Sequence, residues 1–208
     1  MSPCLRNAVR EVCIDMDTFY LGVAECCFPN ARIVIDHFHV LQRAFQLIDE
    51  LRTNLQVIHK KKFAVKQIIR KFKYKLKEDE WNKLNECFEY FPDLKRAWLI
   101  AQEVRRIYRQ KNWKQGCSQL RKVIWYCKQS QIPEMEALAK TMKRWKDKIL
   151  NYYLSKTTNA YTEGIHTRFE LIKRQHCGIR NVERFAKRLM FCMLPFTIIT
   201  QIFAQSYS

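Results

Sequence analysis

The sequence predicts an α/β fold dominated by helices, in which a short strand–helix–strand unit precedes a large all-α insertion. Two short apolar runs rich in β-branched residues, 12–14 and 33–35, are typical of adjacent parallel strands that are buried on both faces. The stretch from about Phe38 to Tyr153 instead has aromatic and aliphatic residues at helical spacings of three and four. Only four Gly and five Pro occur in 208 residues, which argues against the many tight turns of an all-β fold.

A short helix is predicted between the two strands. It begins at Asp17 or Thr18, since either side chain can cap a helix, and it continues through Cys27. Residues 28–31, with the sequence FPNA, then turn the chain toward the second strand. A helix about one turn shorter than average suits the crossover between two neighbouring parallel strands.

Each predicted strand is followed directly by an acidic residue. The first strand stops at Asp15 and the second stops at Asp36. In open α/β sheets, ligands and metals bind outside the carboxyl ends of the strands. Asp15 and Asp36 are therefore the first candidate site residues.

The helical segment is expected to form a bundle over residues 42–150. Pro92 and Pro133 mark boundaries between its helices. We interpret its apolar stripes as core rather than as a binding surface. The residues that define or begin these stripes are Leu41, Phe45, Ile48, Leu51, Trp98, Val104, Ile107, Leu120 and Ile124.

The charge balance points to nucleic acid as the partner. Lys and Arg exceed Asp and Glu by 38 to 20, which gives a net charge of +18, and phosphate contacts gain affinity from counterion release. An anionic membrane is the minor competitor. The densest basic stretch lies in residues 60–77, where two interpretations stay open: a solvated helix face, or a contact with the DNA backbone. Its candidate DNA-binding residues are Lys60, Lys61, Lys62, Lys66, Arg70 and Lys71.

Cysteine usage and hydropathy predict a cytoplasmic protein with no membrane partner. With DNA as its partner, we expect it to be nucleoid-associated and to have no small-molecule substrate. The nine Cys are odd in number and contain no C-x-x-C pair, a pattern typical of reduced structural thiols. No secretory signal opens the sequence. The most apolar segment, 189–199, contains Pro195 and is short for a bilayer span, so we expect a buried closing helix there.

A third acidic candidate lies on a predicted helix near the end of the chain. Thr158 or Asn159 can cap a helix that runs to about Gln175, and Glu163 lies on the face opposite its apolar stripe. Two strand-end Asp and one helix Glu are what a two-metal phosphoryl-transfer site requires, because Mg²⁺ and Mn²⁺ prefer hard oxygen ligands. A solvated helix-face Glu is the competing interpretation.

Long motifs in this sequence resemble one known family. Residues 27–40, CFPNARIVIDHFHV, are similar to an FPNA-then-IVxDxFHV pattern, and residues 158–164 with 172–174 are similar to a TNxxxEG-then-IKR pattern. Gly178, Arg180 and Asn181 extend the second pattern. Both patterns belong to DDE-type transposases of bacterial insertion sequences, which the chain resembles over essentially its whole length.

The resemblance implies a fold, a site and a cofactor. It implies the second half of an RNase H-like sheet in residues 1–41, a helical insertion in 42–150, and closing core helices in 151–208. Asp15 would be the second catalytic Asp and Glu163 the catalytic Glu. Both would be ligands of Mg²⁺ or Mn²⁺ in the intact parent, with weak or absent metal binding expected in this chain. Asp36 and His39 would lie on the C/D-x-x-H motif that follows the second Asp. Lys173 and Arg174, in the IKR motif, are further DNA-binding candidates.

The resemblance also implies a missing ligand. The family carries a first catalytic Asp and a DNA-binding region ahead of this point. The only acid that precedes Asp15 is Glu11, which comes directly before the same strand and so cannot lie on a neighbouring one. Asp17 is less suited than Asp15, because the strand should end directly after Ile14. We therefore expect a transposase catalytic-domain fragment that binds the DNA of element ends but is inactive alone. Two alternatives are a non-catalytic regulator that competes or dimerises with full-length transposase, and a helical interaction module with an incidental basic surface. The protein partners expected besides DNA are full-length transposase or a second copy of this chain in a dimer.

Overall fold

The computed structural model describes residues 3–175, 183, 184 and 187. Over these residues the chain is predominantly helical, as the sequence predicts. Its elements in chain order are α1 (Pro3–Ala8), β1 (Glu11–Ile14), α2 (Thr18–Cys27), β2 (Arg32–Ile35), α3 (His37–Ile58), α4 (Glu78–Tyr90), α5 (Pro92–Ile107), α6 (Trp113–Gln129), α7 (Pro133–Arg144), α8 (Lys146–Leu150), α9 (Tyr152–Ser155) and α10 (Ala160–Gln175), with a 3-10 turn at Lys73–Lys75 between α3 and α4.

The two predicted strands pair in parallel, which confirms the α/β start of the chain. Glu11 lies opposite Arg32 and Ile14 opposite Ile35, so both strands end at the same edge. Burial is uneven, since Val34 and Ile35 of β2 are fully buried while most of β1 is half-buried. The described residues contain only these two strands. A single parallel pair is shared by many α/β folds, so the RNase H-like topology stays a prediction.

The crossover helix α2 begins and ends where the sequence predicts. Asp17 caps it, because its Oδ1 accepts a hydrogen bond from the backbone N–H of Phe19 at 2.7 Å. Only Ala24 of this helix is buried, whereas Phe19 is 71% exposed and Tyr20 and Val23 are also exposed. An outward apolar face of this kind marks α2 as a surface that other polypeptide could cover.

Helix α3 starts directly after β2 and joins the sheet to the bundle. It begins at His37, five residues before the expected start of the insertion, because the side chain of Asp36 caps it through the backbone N–H of Phe38. The predicted stripe is confirmed as core, with Phe45, Ile48 and Leu51 buried. Leu41 packs against the same core from a half-buried position.

Helices α3 to α8 pack around one apolar core. Pro92 and Pro133 stand at the first turns of α5 and α7, so both predicted boundaries are confirmed. At these positions a missing N–H costs no intrahelical hydrogen bond. The remaining stripe residues, Trp98, Val104, Ile107, Leu120 and Ile124, are all buried. A side-chain hydrogen bond from Asn151 to the carbonyl of Ile33, 2.8 Å long, ties the end of the bundle back to β2.

The expectation of helix throughout the long segment is wrong for residues 59–77. This stretch is an irregular connection that contains only the 3-10 turn, so the dense basic run does not form a helix face. The connection is held to the bundle by Val65 and Ile69, which are buried, and by Trp98, whose indole N–H donates to the carbonyl of Ile69 at 3.0 Å. These tertiary contacts, rather than the local spacing of the apolar residues, determine the backbone of the connection.

Two compact units divide the chain, Met1–Thr158 and Asn159–Ser208. Helix α10 is the main described element of the second unit, and it confirms the helix predicted to run to Gln175. The expected closing helix at 189–199, and the motif residues Gly178, Arg180 and Asn181, lie outside the described residues. In the part of the chain that is described, no helix is both long enough and apolar enough to span a bilayer. The functional boundaries expected at 41 and 150 stay predictions.

We predict that Trp98→Phe lowers the free energy of unfolding by about 1–3 kcal/mol, because it leaves the buried carbonyl of Ile69 without its donor. A urea titration measures this as a shift of the midpoint. Trp125→Phe is the matched control, since Trp125 is exposed on α6 and its replacement should change the free energy by less than about 0.5 kcal/mol. Equal shifts for the two variants would contradict the anchoring of the 59–77 connection by Trp98.

Candidate functional site

The carboxyl ends of β1 and β2 form the candidate site. Asp15 follows β1 directly, and the backbone turns there through a hydrogen bond from the N–H of Asp17 to the carbonyl of Asp15 at 2.8 Å. The side chain of Asp15 is 43% exposed. Its Oδ1 lies 2.7 Å from Nε2 of His39, in the first turn of α3. The structure thus brings together two of the sequence-predicted site residues.

Asp36 has a structural position in the same site. Its side chain is only 2% exposed, and its Oδ1 accepts from the backbone N–H of Phe38 at 3.2 Å. Nδ1 of His37 lies 3.1 Å from the same oxygen, although without hydrogen-bond geometry. The carboxylate therefore faces the start of α3 rather than solvent. It fixes the helix that carries His39.

The interior side of the site is a weakly solvated, negatively charged environment. Burial, together with the charges of Asp36 and Asp15, raises the pKa of the Cys13 thiol to about 12. Burial raises the pKa of Tyr108 well above its ordinary value, with Tyr153 and Asp36 among the further causes. Among the described residues, the buried hydroxyl of Tyr108 has no hydrogen-bond partner. Both groups are consequently neutral at physiological pH.

Glu11 lies at the opposite end of β1 from Asp15. One carboxylate oxygen contacts Arg32 at 3.0 Å, and the other accepts from the hydroxyl of Thr157 at 2.7 Å. The hydrogen bond from Thr157 is the largest cause that lowers the pKa of Glu11. The carboxylate of Glu11 therefore stabilises the amino end of the sheet.

The third sequence-predicted acid, Glu163, lies near the start of α10 in the second unit. The helix itself confirms the predicted backbone at this position. Lys173 and Arg174 lie in the last turn of the same helix, where cations complement the helix dipole. Their proposed contact with DNA stays a prediction.

The basic stretch divides into two groups. Arg70 and Lys71 lie in ion pairs, Arg70 with Asp49 at 3.0 Å and Lys71 with Glu80 at 2.6 Å. Both therefore help to hold the irregular connection in place. The remaining candidates, which we call the lysine cluster, are exposed: Lys60, Lys61, Lys62 and Lys66.

A second cationic surface was missed from the sequence. Arg105 and Arg109 flank the end of α5 and lie against Phe72 and Tyr74 of the irregular connection. The signal in the sequence is the four-residue spacing of the two arginines, which places them on one face. Their aromatic neighbours are about thirty residues away in the chain and carry no such signal.

Asp15 fits a hard divalent cation, because its carboxylate is partly exposed at the carboxyl edge of the sheet and is oriented by His39. Asp36 fits less well, since its carboxylate is buried and caps α3. Within the described residues no group of three or more His, Cys, Asp or Glu side chains converges as a metal site does.

Comparison with known proteins identifies relatives of the chain. A family model described as a transposase, of the DDE type and ISL3 group, matches residues 2–189. The transposase for insertion sequence element IS1001 of Bordetella parapertussis is 25% identical over 198 residues, which cover 89% of this chain and 48% of that protein. The chain thus spans about half the length of this curated relative. No solved structure shows significant similarity.

The two strand-end acids should differ in what they contribute to stability. We predict that Asp36→Ala lowers the free energy of unfolding by about 1–2 kcal/mol, because α3 loses its cap. Asp36→Asn is the control, since Asn caps helices as well as Asp. Asp15→Ala removes a partly exposed contact with His39, and such pairs contribute about 0–1 kcal/mol. Urea midpoints measure all three, and a larger loss for Asp15→Ala than for Asp36→Ala would contradict this division of roles.

Proposed function

We propose, from the premise that the chain belongs to the ISL3-type family of DDE transposases, that it acts in DNA transposition as the part of the catalytic domain that carries the second Asp and the Glu. The observation that carries this proposal is the position of Asp15. It lies at the carboxyl end of β1, partly exposed and in contact with His39 at 2.7 Å. Metal-dependent phosphoryl transfer uses metal ions held by oxygen ligands, and open α/β sheets bind their ligands at this edge.

In this proposal, Asp15 and Glu163 are the residues that hold Mg²⁺ or Mn²⁺. The metal ions would supply Lewis-acid activation of the attacking and leaving oxygens of the DNA strand. His39 orients the Asp15 carboxylate, and Asp36 orients His39 by capping α3. Positioning of this kind matters because a ligand that is misplaced by about 1 Å can cost a factor of about 100 in rate.

We further propose that these 208 residues do not complete strand cleavage by themselves. The family's chemistry uses three carboxylates, and the only acid before Asp15 is Glu11. Both carboxylate oxygens of Glu11 are engaged by Arg32 and Thr157 at the far end of β1. A site that has two ligands of three loses much of its metal affinity and its orientation of the substrate.

DNA is the proposed partner, and the lysine cluster is its proposed contact. These four lysines are exposed and lie on the irregular connection, outside any helix or strand. Lysines so placed contact phosphates and contribute affinity without base specificity. The ends of the parent element are the proposed target.

A second candidate function is regulation of a full-length transposase. The observation that favours it is the apolar face of α2, where Phe19, Tyr20 and Val23 are exposed beside the half-buried β1. A strand edge next to an apolar helix face is suited to pairing with another polypeptide. In that role the chain would compete for DNA or form mixed dimers.

The lysine cluster predicts a particular salt dependence. The affinity of the purified chain for duplex DNA should fall linearly with salt on logarithmic axes, and each lost phosphate contact should reduce the slope by about 0.9. Fluorescence anisotropy of the variant with Lys60, Lys61, Lys62 and Lys66 changed to Ala measures this reduction. The control variant, with exposed Lys83, Lys95, Lys114 and Lys140 changed to Ala, has the same net charge. Slopes that are equal in the two variants would reject the lysine cluster as the contact.

Catalytic competence is tested with DNA that carries the ends of the parent element. With Mg²⁺ or Mn²⁺ present, we expect the purified chain to bind this DNA and to leave both strands intact, because one carboxylate ligand is lacking. Efficient nicking would contradict inactivity of the chain alone.

Co-expression with full-length transposase separates the two proposed functions, because a regulator reduces transposition. If the regulator inhibits by competing for DNA, the four-alanine variant of the lysine cluster should no longer inhibit transposition. The charge-matched control variant should still inhibit it.

A further inference from the structure

A large groove lies on the helical insertion, and no residue of the sheet edge that carries Asp15 lines it. It has a volume of about 950 Å³ and is bounded by the 3-10 turn region, the second half of α5, and α6. Ligand pockets span roughly 300–1,000 Å³, so the groove has room for a base with its sugar and phosphate. Neither the proposed metal site nor the lysine cluster contributes to its lining.

The groove combines aromatic rings with guanidinium groups. The guanidinium carbon of Arg105 lies 4.2 Å from the ring centre of Phe72 and 4.4 Å from that of Tyr74. These two rings are nearly parallel, with an angle of 16° between their planes. The guanidinium of Arg109 lies 5.7 Å from the ring centre of Tyr74. Arginine held against aromatic faces is ordered before a ligand arrives, which reduces the entropy lost on binding.

The lining is strongly cationic. Lys73, Arg105, Arg106, Arg109 and Lys122 contribute five positive charges, and Glu103 contributes one negative charge. Glu103 is already engaged by Arg106 at 2.9 Å and by the side chain of Gln119 at 3.1 Å. Within the described residues, Arg105 and Arg109 form no ion pair with an acidic side chain. The groove therefore offers charge to an anionic ligand.

Exposed rings next to these cations favour unpaired nucleotides over a duplex. Tyr74 is 59% exposed and lies beside the cationic side chains of the groove. An aromatic ring can stack only on a base whose face is accessible, whereas a duplex presents its phosphates and hides the faces of its bases. Phosphate contacts alone would not require the ring.

We propose that this groove binds unpaired nucleotides of DNA, with Tyr74 stacking on a base and with Arg105 and Arg109 contacting the adjoining phosphates. The inference rests on the proposed function in DNA transposition and names a second contact for the same substrate. The groove holds unpaired strand, while the lysine cluster holds duplex.

The test measures binding of a fluorescent oligothymidine and of a duplex of equal length to the purified 208-residue chain. Tyr74→Ala should weaken binding of the oligothymidine by roughly 5- to 150-fold, the factor that corresponds to stacking of one base. Binding of the duplex should change by less than about twofold, because the duplex is held by its phosphates. Tyr74→Phe keeps the ring and should retain the affinity. Trp113→Ala is the control for an exposed aromatic residue that does not line the groove.

Arginine variants test the phosphate contacts in the same assay. Arg109→Ala should weaken binding of the oligothymidine and reduce its salt slope by about 0.7. Arg121→Ala, at an exposed position on α6 outside the groove lining, should leave both unchanged. Circular dichroism and urea midpoints confirm that each variant is folded.

The outcomes separate this inference from the proposed function. If duplex binding depends on salt but Tyr74→Ala does not change oligothymidine binding, the groove proposal is wrong and the proposed function still stands. Equal losses for both ligands on Tyr74→Ala also overturn it, because stacking would then not be the cause. Absence of binding to either DNA overturns both. Selective loss of oligothymidine binding, with rescue by Tyr74→Phe, supports the groove.

Discussion

The buried carboxylate of Asp36 is the constraint on which the rest of the structure depends. It ends β2 and begins α3 within one residue, by accepting from the backbone N–H of Phe38. A carboxylate with 2% exposure is costly unless it is hydrogen-bonded, and the N-terminus of a helix offers both donors and a favourable dipole. Because the cap fixes where α3 starts, it also fixes the direction of the longest helix. The bundle is built on that helix, and His39 reaches Asp15 from its first turn.

Much of the fold could be predicted because its signals are local. Apolar runs that stop at Asp15 and Asp36, the cap at Asp17, and the prolines at the first turns of α5 and α7 act within a few residues of the boundary they set. The irregular connection at 59–77 could not be predicted in this way. Its hydrophobic residues have nearly helical spacing, but Ile69 is held by Trp98, which lies 29 residues further along the chain. Tertiary contact therefore overrides the local pattern.

The candidate site shows the same division between local and distant signals. The residue sequence placed Asp15 and Asp36 at one edge of a sheet, and the register of β1 with β2 confirms that placement. It could not distinguish their roles, because burial and capping depend on where α3 packs. The groove on the insertion escaped prediction for a related reason. Arg105 is recognisable as part of a basic face, but only the folded connection brings Phe72 and Tyr74 against it.

The acids around the sheet differ in what else they hold, and this difference is the argument for Asp15. Glu11 joins β1 to Arg32 and Thr157, Asp17 caps α2, and Asp36 caps α3. Each of these carboxylates is committed to a hydrogen bond that the fold requires. Among the described residues, the carboxylate of Asp15 contacts the side chain of His39. The Asp15 side chain is 43% exposed, at the edge where ligands of α/β sheets bind. The other nearby acids thus hold the fold, whereas Asp15 is oriented by a histidine and is partly exposed. This difference is why the proposed function assigns the metal ligand to Asp15.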